Sequence, residues 1–148
     1  MGVLGRARLV AGGVALLTVA GGLGVRAVAA GDVAKYAGDA LYTVLVYVLI
    51  VLAAPRVRPL VASSVALAFS CAVELLQLTG VPAELAARSV VARSVVARLV
   101  LGSTFNAPDL LWYAVGAAVA AFVHRSVTVR RGAPGAPRGA VGGRSPGP

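Results

Sequence analysis

The stretch "ALYTVLVYVLIVLAAPRVRPLVASSVALAFSCAVELLQLTG", residues Ala40–Gly80, decides the fold. Two apolar blocks, Ala40–Ala54 and Leu60–Thr79, flank a short connection carrying Arg56 and Arg58. Each block approaches the ~20 residues that an α-helix needs to cross a bilayer. Gly80 and Pro82 stop the second block. A helical hairpin with arginines at its turn is the expected element. Between Arg58 and Glu84 the only charged side chain is Glu74, with Gln77 three residues on.

Composition extends this reading to the whole chain. Of its 148 residues, 59% are hydrophobic and 13% charged, with a mean hydropathy of +0.88. Soluble domains carry about 25% charged residues. Two further apolar blocks complete the count: Leu9 to about Ala30, interrupted late by Arg26, and Leu110–Val123, opened by Pro108 and Asp109. The expected fold is all-α, a polytopic bundle of four transmembrane helices near residues 9–30, 37–54, 60–79 and 107–124. Residues 1–125 would form the membrane domain. The tail from 126 to 148 is rich in Arg, Gly and Pro and is expected to be a disordered basic segment. A competing reading takes the first block as a secretory signal, with "AVAA" at Ala27–Ala30 as the cleavage site. Its long apolar core and Arg26 disfavour that.

The net charge of +9 comes almost wholly from arginine, since Lys35 is the only lysine. These cations lie between apolar blocks without interleaved aromatics, which argues against nucleic acid and for membrane lipids as partners. Placing the N-terminus in the cytoplasm puts nine basic residues on that side and five on the other, so both termini are expected inside a cell membrane. The single Cys71 rules out an intrachain disulfide framework and a thiolate metal cluster. The tandem repeat "RSVVARSVVAR", Arg88–Arg98, advances five residues per step, about 140° per step on a helix. Its cations would point three ways, unlike an interfacial amphipathic helix.

With this topology the polar residues converge. Asp39 opens the second helix, Glu74 and Gln77 share one face near the end of the third, and Asp109 opens the fourth. Arg26 ends the first helix at the same outer level, and Arg98 or Arg93 enters from the loop. A charged acid inside a membrane helix costs ~2.5–3.5 kcal/mol, so several at one depth should face inward and pair. Blander readings exist. Asp39 and Asp109 are also favourable acids at helix N-termini. Tyr36, Tyr42, Trp112 and Tyr113 also suit an interfacial aromatic belt. Gly116, Ala117, Ala120 and Ala121 suit helix packing, and His124 is expected to be a bystander at headgroup level.

Three segments, "KYAGDALYTVLVY" (Lys35–Tyr47), "FSCAVELLQL" (Phe69–Leu78) and "RLVLGSTFNAPDLLWYAVG" (Arg98–Gly116), resemble in this order the domain of unknown function 2809 family of small bacterial membrane proteins. The resemblance runs from about Leu9 to Arg125. It implies a polar set at Asp39, Glu74, Gln77, Arg98 and Asp109, surrounded by Phe105, Tyr113 and Gly116. The five-residue repeat departs from the family pattern and leaves Arg93 and Arg98 as rivals; Arg98, directly before "LVLG", is preferred. A more distant similarity is to VanZ-like proteins, some of which are associated with glycopeptide resistance. That similarity implies a polar site for an envelope lipid or cell-wall precursor. The rival functions are a structural bundle without ligand, a proton-linked transporter that would need oligomers, and an enzyme with Glu74 or Asp109 as base or an acid cluster holding a divalent metal. No nucleophile elbow, His-rich metal motif or phosphate loop supports the enzyme, and no cofactor is expected.

Overall fold

A computed structural model describes residues 2–79, 84 and 106–132. Its helices are α1 (Val3–Val28), α2 (Gly31–Ala53), α3 (Pro59–Gln77) and α4 (Ala107–Gly132). The described residues contain no strand, and all four helices are long and apolar enough to cross a membrane. α2 is the hub: it packs against α1, α3 and α4, and α3 and α4 also pack together.

Local chemistry sets the ends. Only Ala29 and Ala30 separate α1 from α2. The reversal is completed at Gly31, whose φ of +61° is open to glycine and strained for a residue with a Cβ. α3 begins on Pro59, where a missing N–H costs nothing because no intrahelical acceptor exists for it. α1 and α2 each start well before their apolar blocks at Leu9 and Ala40, and α4 runs past Arg125 to Gly132. The hydrophobic count therefore marks too short a helix for α1, α2 and α4, and matches α3 closely. Backbone hydrogen bonding continues beyond the apolar run, because polar side chains at the ends remain in contact with water or headgroups. One consequence corrects the reading of Asp39. Asp32 is the acid in the first turn of α2, and Asp39 lies in the third, so the N-terminal dipole does not account for it.

The interior is built from small residues. On α3, Ala62, Ala66, Ser70 and Glu74 recur every fourth position and all are buried. This stripe faces Thr43, Tyr47 and Val48 of α2 and Tyr113, Ala117 and Ala120 of α4, which are buried as well. Ser63 Oγ donates to the Ala117 carbonyl at 3.1 Å, and the Thr43 and Ser70 hydroxyls are 3.0 Å apart. Large apolar side chains point outward instead: Leu16, Leu17 and Phe122 are each more than 70% exposed. Such a surface would drive association in water and suits hydrocarbon.

Candidate functional site

The ends of α1 and α3 and the starts of α2 and α4 share one end of the bundle, and a polar layer is assembled there. Its deepest member is Glu74, 1% exposed. One carboxyl oxygen accepts from the Asn106 backbone N–H at 2.6 Å, the other from the Tyr113 hydroxyl at 3.0 Å. Asn106 immediately precedes α4 and Tyr113 lies two turns into it. Glu74 thus ties the end of α3 to the start of α4.

Nearer the end, Lys35 links α2 to α4. Its ammonium lies 3.6 Å from Asp39 Oδ2, one turn along α2, and donates to Asp109 Oδ1. Asn106 Nδ2 donates to that same Asp109 oxygen at 2.6 Å. Asparagine 106 therefore serves both carboxyls, its backbone bonding Glu74 and its side chain Asp109. Aromatic rings close the layer. Tyr36 stacks on Trp112 with centroids 5.6 Å apart, Lys35 lies over the Tyr36 ring, and Tyr42 meets Tyr113 at 6.3 Å.

This layer requires α2 and α4 to approach closely, and Gly116 permits it. A Cβ there would lie 2.3 Å from the Ala40 carbonyl oxygen. No side chain fits, so the glycine sets the helix separation one turn from Tyr113.

Among the described residues, three buried polar atoms in the layer accept or donate no hydrogen bond: Asp39 Oδ2, which keeps its ion pair with Lys35, the Tyr42 hydroxyl and Gln77 Oε1. Buried polar groups are nearly always partnered, so the Tyr42 hydroxyl and Gln77 Oε1 identify unused hydrogen-bonding capacity. Among the described residues, the layer also holds one ammonium against three carboxyl groups.

Of the residues expected from sequence, Asp39, Glu74, Asp109 and Tyr113 come together, and Gln77 lies one turn beyond Glu74. Arg26 is exposed, with its guanidinium close to Gly38, and makes no ion pair among the described residues. Arg93, Arg98, Phe105 and the five-residue repeat lie outside the described residues. The cation seen in the layer is Lys35, which the sequence reading used only for topology. Its signal was the four-residue spacing to Asp39, which aligns the two on one helix face. Asn106 was also missed; an asparagine just before a helix start carries a capping signal. At the opposite end His124 is no bystander: its Nδ1 is 2.7 Å from the Tyr47 hydroxyl, joining α4 to α2. No group of three or more metal-ligating side chains is gathered among the described residues.

Four apolar helices sealed around small residues, with a polar layer at one end, define a multi-pass membrane protein. The chain belongs to the family described as protein of unknown function (DUF2809), which matches residues 28–117. The match takes in the whole polar layer and omits most of α1 and the end of α4, a narrower span than Leu9–Arg125. No curated protein and no solved structure matches the chain.

Proposed function

We propose that the polar layer is a recognition site at the outer membrane–water boundary of a cell membrane. Its ligand is the polar group of an envelope lipid or a cell-wall precursor. The observation that carries this reading is the pair of unpartnered atoms on Tyr42 and Gln77. One is a hydroxyl and the other an acceptor, beside an excess of carboxyl groups among the described residues. A ligand rich in hydrogen-bond donors, such as a sugar hydroxyl or an amine, complements them. The arginine distribution supports an outward-facing site, and the VanZ-like similarity adds an analogy with envelope chemistry.

A second reading has an observation of its own. Both Glu74 oxygens are consumed within the bundle, so that residue serves to join α3 and α4. The two readings divide the layer: Glu74 and Tyr113 build it, while Tyr42 and Gln77 face the ligand. Deleting the gene should change susceptibility to cell-wall antibiotics. Wild type should restore the original susceptibility, whereas a normally accumulating Tyr42→Phe/Gln77→Leu double variant should not. Full restoration by that variant would leave only the structural reading.

A further inference from the structure

The other end of the bundle carries a second feature. A cleft of about 300 Å³ opens between α1, α2 and α4. It exists because α1 packs broadly on α2 alone, leaving a gap towards α4. Ala11 and Val14 of α1, Val48 of α2 and Val123 of α4 are among its walls. Tyr47 and His124 also line it, but their polar atoms satisfy each other. Water entering the cleft would find few partners, whereas a hydrocarbon chain would recover contacts with every wall.

The charge around the cleft is one-sided. Ala7 and Pro55 contribute to its lining. Arg6 and Arg8 flank Ala7, Arg56 follows Pro55, and Arg125 follows His124; all four arginines are exposed. The acids Asp32, Asp39, Glu74 and Asp109 belong to the far end, so none of these four offsets the guanidinium groups. Arginine matches phosphate oxygens through paired N–H donors.

We propose that this cleft is a binding site for an anionic phospholipid, with one acyl chain between α1 and α4 and the phosphate held by the surrounding arginines. A bound lipid would complete the bundle where α1 is detached from α4. The site lies at the opposite end from the polar layer and is independent of its function.

Native mass spectrometry of the full chain in detergent, with phosphatidylglycerol or phosphatidylcholine added, tests this. Phosphatidylglycerol should be retained at least tenfold better. Arg6→Gln/Arg8→Gln, which changes only exposed side chains, should reduce that preference by about fivefold per arginine. Ala11→Phe fills the cleft and should abolish retention. If it fails to fold, a phosphatidylglycerol with a photoreactive acyl chain gives an independent reading, because its cross-links should fall on cleft residues such as Val14, Val48 and Val123. Equal retention of both lipids would overturn the proposal. So would a preference indifferent to the arginines, cross-links spread over Leu16, Leu17 and Phe122, or a dimer that holds no lipid.

Discussion

Glu74 occupies the most demanding position in the chain, a carboxyl group 1% exposed among alanines. Its position is sustained by Asn106 and Tyr113, which supply one donor to each oxygen. Glu74→Gln keeps an acceptor for the Asn106 N–H and presents an amide to the tyrosine oxygen, so its stability in detergent should fall by less than ~1 kcal/mol. Glu74→Leu leaves both donors buried and unpaired and should cost ~1–3 kcal/mol in thermal or denaturant unfolding. A leucine variant as stable as wild type would remove Glu74 from the architecture. Lys35 makes a different prediction. Replacing it by Met leaves Asp39 and Asp109 facing each other without a cation, so Lys35→Met should be destabilising. Adding Asp109→Asn should recover part of the loss in a double-mutant cycle. Strict additivity would show that the ion pair carries no coupling. Glu74 stood out in the sequence because a helix interior in a membrane has no other use for an acid, whereas Asp109 also suited the start of its helix. Lys35 and Asn106 did not stand out, because a cation near a membrane rim and an asparagine before a helix are both ordinary there.

At the scale of elements, helix contacts depend on the absence of side chains. Ala62 and Ala66 are fully buried, and Gly116 sits against the Ala40 carbonyl. Close backbone approach replaces the hydrophobic effect, which gives helices no preference for each other over lipid tails. Gly116→Ala should force α2 and α4 apart and cost ~1–3 kcal/mol, as overpacking does elsewhere. Gly13→Ala, where a Cβ meets nothing within 4 Å, should be neutral or slightly stabilising. Equal melting temperatures for the two variants would contradict the packing of α2 on α4. The four-residue spacing of small residues around Gly116 was legible in sequence. Which neighbour the glycine meets was not, because that depends on the rotation of α2. Helix limits differ for a related reason, since apolar blocks report the hydrocarbon segment and α1, α2 and α4 begin before it, while α4 also runs past its end.

At the scale of the whole molecule, hydropathy was enough to give four membrane-crossing helices, and the order of the polar segments was enough to give the family. Antiparallel succession then places the starts of α2 and α4 beside the end of α3, which is why residues as distant in sequence as Lys35 and Asp109 meet. The hub role of α2 and the cleft beside α1 were not legible, because every apolar helix shows a similar face to its neighbours. The proposed recognition site requires this polar layer to face the outside of the cell. It is tested by placing one cysteine at Ser103, between α3 and α4, in a Cys71→Ala background and treating intact cells with a membrane-impermeant maleimide. An outward-facing layer gives labelling in intact cells without permeabilisation. Labelling only after the membrane is opened would place the layer on the cytoplasmic side and contradict the proposal.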